Sequence, residues 1–338
     1  MTEISANAVV GQSGGPTSAI NATLSGVIRG MKDAVACGLF GKIYGMKNGM
    51  EGFLEERLVD LSDMTEDNLS LLEMTPAAAL GSCRLRLPAE GKNPNMYEKI
   101  LGVLRKYNIR AFFYIGGNDS MDTVLKLSDY AKKHGYDLRV VGVPKTIDND
   151  LTATDHTPGF GSAAKYIASS VKEMLRDIAV YTVRAVTIVE IMGRDAGWLT
   201  TAAALSGVSD GRAPDLIYLP EHPFSDERFL SDVRAALERR PDVMIAVSEG
   251  IRYADGTYVS AGNRSHTDAF GHVQLAGAGK ALEELVRYHI GCKVRSVELN
   301  LPQRCAAHLS SLTDIRESVA IGRAAVSAAT EGKSGVMM

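Results

Sequence analysis

Five short apolar runs, each opening into a glycine-bearing or polar segment, constrain this chain more than any other feature. They lie at residues 8–10, 111–115, 139–143, 183–191 and 243–247. The stretches between them carry apolar residues at helical spacing. Ile20, Leu24, Val27, Ile28 and Met31 make one face after the first run, and Met121, Val124, Leu125 and Leu127 another after the second. Short buried strands alternating with helices of this kind fold as a parallel sheet covered on both faces, in an α/β class protein. Ligands of such sheets bind beyond the C-terminal strand ends. Here those ends are residues 11–16, 116–120, 144–150, 192–197 and 248–250, where the polar residues gather.

The 338 residues permit one large α/β domain or two smaller ones, and the chain is long enough to need no disulfide or metal staple. A net charge of -3 argues against a nucleic-acid partner. The four cysteines, Cys37, Cys83, Cys292 and Cys305, have neither C-x-x-C nor zinc spacing and read as thiols of a reducing compartment. The N-terminus lacks the pattern of a signal peptide, and no apolar run is long enough for a transmembrane helix, so a cytoplasmic protein without a membrane partner is expected. Residues 252–279, rich in glycine and weak in periodicity, read as a hairpin and a loop; His266 and His272 within them are read as non-catalytic. The last seven residues read as a turn entering a strand. Two readings stay open there: a truncated chain, or a last strand paired at the sheet edge.

Several clusters could carry chemistry. Gly11-Gln12-Ser13-Gly14-Gly15-Pro16-Thr17-Ser18 suits an anion at a helix N-terminus, although no Gly-Lys-Ser/Thr follows to make a Walker loop; a tight turn capped by Thr17 or Ser18 is the bland alternative. Gly116-Gly117-Asn118-Asp119-Ser120 again suits phosphate, but its carboxylate would repel one unless a cation intervenes; Asp119 could instead cap the next helix. Lys145-Thr146-Ile147-Asp148-Asn149-Asp150 places an ammonium, a hydroxyl and two carboxylates within six residues. In an extended segment Asp148 and Asp150 point the same way, one free to take a proton and the other to hold a metal; a solvated turn is the alternative. In Met192-Gly193-Arg194-Asp195 the guanidinium suits a sugar phosphate, against a surface ion pair with Asp195. Trp198 is expected to pack.

In order along about 290 residues, these stretches resemble the phosphofructokinase family. The resemblance rests on Gly14-Gly15-Pro16-Thr17 with Asn21-Ala22, Gly81-Ser82-Cys83-Arg84, the segments at 116–120 and 144–150, Thr157-Pro158-Gly159-Phe160, the segment at 190–197, Ser248-Glu249-Gly250 and Gln303-Arg304. It implies two Rossmann-like three-layer α/β/α domains with mostly parallel sheets. Residues 1–160 with 302–338 would bind the phosphoryl donor, and 161–301 the sugar phosphate. Asp148 would deprotonate the sugar C1 hydroxyl, Thr146 would contact the transferred phosphoryl group, and Arg84 would bridge the phosphates. Gly14, Gly15, Asn118, Asp119 and Ser120 would complete the donor site. Asp119, Asp150 and Asn118 would hold magnesium. Met192, Gly193, Arg194, Glu249 and Arg304 would bind the sugar phosphate, with Arg295 and Arg184 lent by a neighbouring subunit of a homo-oligomer.

The resemblance is sharpest to the pyrophosphate-dependent 6-phosphofructokinases. ATP-using members typically have glycine at the positions of Asp119 and Lys145. A carboxylate at 119 would fill space near the donor's α-phosphate and repel it, whereas an ammonium at 145 can bind pyrophosphate oxygens. Met50 stands where an aromatic residue often neighbours adenine. The expected reaction is reversible transfer from pyrophosphate to the C1 hydroxyl of fructose 6-phosphate. The alternatives are an ATP-dependent enzyme, sedoheptulose 7-phosphate as acceptor, and a non-catalytic sugar-phosphate-binding subunit. The chain departs from the family at Asn118, where many members have a metal-binding aspartate, at Leu301 in place of a histidine or tyrosine, at Cys305-Ala306 in place of two glycines, and in lacking a final helix and strand.

Overall fold

A computed structural model describes residues 6–262 and 277–338. The chain divides into two compact units: Met1–Thr146 with Leu151–Gly159 and Ser310–Met338, and Ile147–Asp150 with Phe160–Leu309. The sequence expectation cut the chain at 160/161 and 301/302. Residues 302–309 instead count with the second unit, where Gln303 accepts from Met192 N at 3.1 Å and donates to Asn300 O at 3.0 Å.

The first unit holds β1 (Asn7–Gln12), β2 (Ile43–Met46), β3 (Leu58–Asp60), β4 (Ile109–Gly116), β5 (Arg139–Pro144) and, at the far end of the chain, Val336–Met337. Their order across the sheet is Val336–Met337, β5, β4, β1, β2, β3, and every pairing is parallel except β2 with β3. Period-2 alternation sorts the apolar residues to two faces. Ala111, Phe113 and Ile115 of β4 join Ala8 and Val10 under the helices Ile20–Ala36 and Leu312–Thr330. Phe112 and Tyr114 join Val9 and Val140 under the helices Pro94–Lys106 and Asn118–Lys133. This is the three-layer arrangement expected of strands buried on both faces. Each fully buried Phe or Ile side chain contributes roughly 1.5–3 kcal/mol.

The outer two helices cross at glycines. A Cβ on Gly26 would lie 2.1 Å from Val319 O, and one on Gly322 would lie 2.4 Å from Thr23 O. Backbone cannot yield there as a flexible side-chain tip could. Gly322→Ala is therefore expected to destabilise the protein by about 1–3 kcal/mol or more, read as a lower midpoint in urea unfolding. An unchanged midpoint would show that the helices can separate freely.

The second unit holds β6 (Ala185–Ile191), β7 (Leu216–Tyr218), β8 (Asp242–Ser248) and β9 (Lys293–Glu298) in the order β7-β8-β6-β9, all parallel. Numbered last in chain order, Val336–Met337 becomes β10. Val186, Ile188, Val243, Ile245 and Val247 pack against the helices Asp226–Arg239 and Ala278–His289. Val189, Ile191, Met244 and Ala246 pack against Phe160–Ile178. The hairpin expected in 252–279 begins as read: Arg252 bridges Tyr258 in antiparallel fashion around a turn at Gly256 with φ of 86°. His266 and His272 lie outside the described residues. Trp198, expected to pack, is instead 56% exposed, because it starts a helix of one turn whose buried side is taken by Leu199 and Ala202. Among the described residues no helix is long and apolar enough to cross a membrane.

Candidate active site

In the first unit, β1, β4 and β5 end nearly level, with Gln12 opposite Ile115 and Gly116 opposite Pro144. That register brings three loops together beyond the C-terminal ends of the strands. Gly14 adopts φ of 75°, a left-handed conformation suited to glycine. Its N–H donates to Cys83 O at 3.3 Å, and Ser82 Oγ donates to Gly14 O at 2.6 Å, tying the Gly14-Gly15 turn to the segment carrying Arg84. Gln12 and Asn21 hold that segment from below: Gln12 Oε1 accepts from Leu80 N at 2.9 Å, and Asn21 Oδ1 from Ala79 N at 2.9 Å.

Lys145 is only 4% exposed. Its Nζ donates to Gly15 O at 2.6 Å and lies 3.3 Å from where a Cβ on Gly14 would stand. Its backbone N–H donates to Gly116 O at 2.9 Å. A buried ammonium is costly unless its donors are used. The ammonium is a three-donor cation placed beside the turn. Thr146 is clamped from a second strand of chain: Thr157 Oγ1 donates to Thr146 O at 2.7 Å, and Thr146 N donates to Pro158 O at 3.2 Å. Thr157 is fully buried, and Gly159 N donates to Asp314 Oδ1 at 2.9 Å.

Asn118 opens the helix Asn118–Lys133, and Asp119 sits in its first turn, where the helix dipole favours negative charge. The cap position is Gly117, so Asp119 is not the helix cap. Asp119 faces Arg86, with Nε to Oδ1 at 3.4 Å. Ser120 is buried, its hydroxyl turned back against Gly116. Thr17 does act as a turn cap, accepting from Ala19 N at 3.2 Å and Ile20 N at 2.9 Å. Met50 is fully buried among Met46, Phe53 and Tyr114.

In the second unit Ile191 pairs with Ser248, so Met192 and Glu249 leave the sheet side by side. Gly193 N donates to Glu249 Oε1 at 3.3 Å, and Ser248 Oγ donates to Gly193 O at 2.6 Å. A Cβ on Gly250 would stand 1.7 Å from Arg194 O, so only glycine lets the two loops meet. Burial first, and then the charge of Asp148, push the Glu249 carboxyl up to about 7; the Gly193 N–H and Arg194 pull the other way. Burial likewise raises Glu190, whose oxygens accept from Gly277 N at 3.2 Å and Gly279 N at 2.7 Å. Glu190 thus anchors the start of the helix Ala278–His289 to β6. Asp195 pairs with Arg252.

Asp148 is half-buried and Asp150 exposed. The expectation of an extended segment with both pointing the same way does not hold. Residues 147 and 148 form a bend, and Asn149 takes φ of 56°, which breaks the alternation. Arg304 lies half-buried in the short helix Pro302–Cys305, beside Gln303. Arg295 is exposed on the edge strand β9. Arg184 precedes β6, at the opposite end of that strand from Met192, and donates to Leu237 O at 3.1 Å. Leu301 is 53% exposed.

A sequence model of the family described as phosphofructokinase matches residues 7–298. The chain belongs to the phosphofructokinase family. It is 44% identical over 98% of its length to the pyrophosphate–fructose 6-phosphate 1-phosphotransferase of Xanthomonas campestris, and 41% identical over 98% to the protein of that name from Halomonas elongata, covering 78% of each. The crystal structure of a pyrophosphate-dependent phosphofructokinase from Nitrosospira multiformis superposes with a TM-score of 0.86 at 36% identity, over 98% of this chain and 78% of that one. The phosphofructokinase fold expected from the motifs is therefore the fold observed.

Sequence reasoning missed two residues of this phosphofructokinase. Arg86 alternates with Arg84 across Leu85, and this i, i+2 spacing is the signal that could have found it. Thr157 enters the sequence reading only through the family resemblance, because its contact with Thr146 is tertiary. Among the described residues no three His, Cys, Asp or Glu side chains cluster to hold a metal. Magnesium is usually held by one or two carboxylates plus substrate phosphates, so such a cluster is not required for it.

Proposed function

We infer that this phosphofructokinase transfers a phosphoryl group reversibly from pyrophosphate to the C1 hydroxyl of fructose 6-phosphate. The observation that carries the donor assignment is Asp119, a carboxylate in the first turn of the helix Asn118–Lys133 that would crowd a nucleotide, with Lys145, a buried ammonium at the Gly14-Gly15 turn, in support. The names of the relatives support the same reading. The first unit, residues 1–146 with 151–159 and 310–338, is assigned to the donor, and the second, 147–150 with 160–309, to the sugar phosphate. Lys145, Arg84, Gly14, Gly15 and Thr146 bind and orient the donor phosphates, with Asn118, Asp119 and Ser120 at the helix start beside them. Met192, Gly193, Arg194, Glu249 and Arg304 bind the sugar phosphate. Asp148 takes the C1 hydroxyl proton as that oxygen attacks phosphorus in line, and the bridging P–O bond of pyrophosphate breaks to release inorganic phosphate.

Positioning and electrostatics supply most of the catalysis in such transfers. Asp150, Asp119 and the Asn118 oxygen would hold magnesium, which when bound neutralises charge on the phosphate oxygens. Arg295 and Arg184, both at exposed positions, are assigned to the neighbouring subunit's site in a cytoplasmic homo-oligomer; neither nucleic acid nor membrane enters as a partner.

The test compares initial rates with pyrophosphate and with ATP, each with fructose 6-phosphate and magnesium. Pyrophosphate is expected to support turnover and ATP little or none. An ATP rate equal to or above the pyrophosphate rate would overturn the donor assignment.

A further inference from the structure

A carboxylate beside a phosphate site poses a problem that Lys145 alone does not solve. Asp119 can exclude a nucleotide, but an unbalanced charge there would also repel pyrophosphate. We propose that Arg86 is a donor-specificity residue, holding and neutralising Asp119 so that the carboxylate blocks a nucleotide without repelling a compact diphosphate. The proposal rests on the donor reading above.

The geometry supporting it lies within the first unit. Arg86 Nε stands 3.4 Å from Asp119 Oδ1. The strap carrying Arg86 is pinned on both sides. Cys83 is buried, with Sγ 3.7 Å from the Tyr114 hydroxyl, and its carbonyl accepts from Gly14 N. Leu87 is fully buried, and its carbonyl accepts from Lys126 Nζ at 2.9 Å, on the same helix as Asp119. The segment between these anchors is thus fixed against the donor turn and the Asp119 helix at once. The pair itself is open to water, with side chains 60% and 29% exposed. An exposed ion pair contributes little to folding stability. Its consequence should therefore appear in donor binding, where a multiply charged diphosphate samples the local charge, and not in melting.

A double-mutant cycle separates these effects. Arg86→Gln, Asp119→Gly and the combined variant are compared with wild type for pyrophosphate KM, kcat and Tm. In the wild-type background Arg86→Gln is expected to raise KM about three- to tenfold, by more than kcat falls, with Tm within about 2 °C. In the Asp119→Gly background the same substitution should change KM by less than about twofold, since no carboxylate remains to balance. Arg86→Lys, which keeps the charge, should stay within about twofold of wild type. An equal KM rise in both backgrounds, no rise in either, or a collapse of Tm in Arg86→Gln would overturn the proposal. Wild type turning over with ATP alone would overturn the donor assignment and this inference with it. Wild type using pyrophosphate, with an additive cycle, would overturn only the role of Arg86.

Discussion

Asp148→Ala is expected to lower turnover by about 10²- to 10⁴-fold, the range over which a positioned general base contributes, while the protein stays folded. The acceptor hydroxyl is a poor nucleophile until its proton has somewhere to go, and no other side chain of the Pro144–Asp150 segment offers both partial burial and a carboxylate. The pH dependence of stability should change with it. Asp148 raises the Glu249 carboxyl by like-charge repulsion, second only to burial. A carboxyl raised in the folded state contributes stability that is fully present below its ordinary value of 4.5 and is lost as pH rises through about 7. Removing Asp148 lets Glu249 relax downward, so the variant should lose less stability on that rise. Its Tm relative to wild type should therefore be higher at pH 8 than at pH 4. Near-normal turnover in Asp148→Ala would remove it from the role of base. A Tm difference from wild type that does not rise between pH 4 and pH 8 would show that Asp148 does not hold up the Glu249 carboxyl.

The parts of this protein legible in its sequence were those fixed by local pattern. Apolar runs gave β1, β4, β5, β6 and β8, and the glycine-bearing segments that end them proved to be loops at the strand ends. β2, β3 and β7 are three or four residues long and carry too little pattern to see. β9, Lys-Val-Arg-Ser-Val-Glu, alternates correctly but lies at a sheet edge, half in water, so its charges masked it and Arg295 read as one scattered arginine among several. What remained hidden was tertiary. No local rule predicts that Lys145 reaches back to Gly15, that Thr157 closes on Thr146, or that Arg86 meets Asp119. The Asp148–Asp150 geometry was misjudged for a different reason. Asparagine tolerates the left-handed region better than most residues, and Asn149 used that freedom where an extended segment had been assumed.

The combined variant Asp119→Gly with Lys145→Gly is expected to reduce pyrophosphate efficiency by about 10²- to 10³-fold, comparable to removing a preorganised charged donor from a phosphoryl or oxyanion site, and to raise the ATP rate from its baseline. The two substitutions act on different terms. Lys145 attracts: its ammonium, 4% exposed, stands at the Gly14-Gly15 turn in surroundings where charge is poorly screened. Its loss should account for most of the pyrophosphate effect. It should also lower Tm, because Gly15 O loses a 2.6 Å donor and a glycine after Pro144 frees the backbone. Asp119 excludes by filling space: removing its side chain clears room at the helix start, so Asp119→Gly alone should admit some ATP while retaining more pyrophosphate activity than Lys145→Gly alone. The buried position of Met50, packed in the core with Met46 and Phe53, limits the gain, since it offers adenine no exposed ring to stack on. Steady-state kcat/KM for both donors in the two single variants and the pair decides the matter. If Lys145→Gly leaves pyrophosphate efficiency intact, the buried ammonium serves only to brace the turn. If the pair gains no ATP turnover, the carboxylate is not what keeps the nucleotide out.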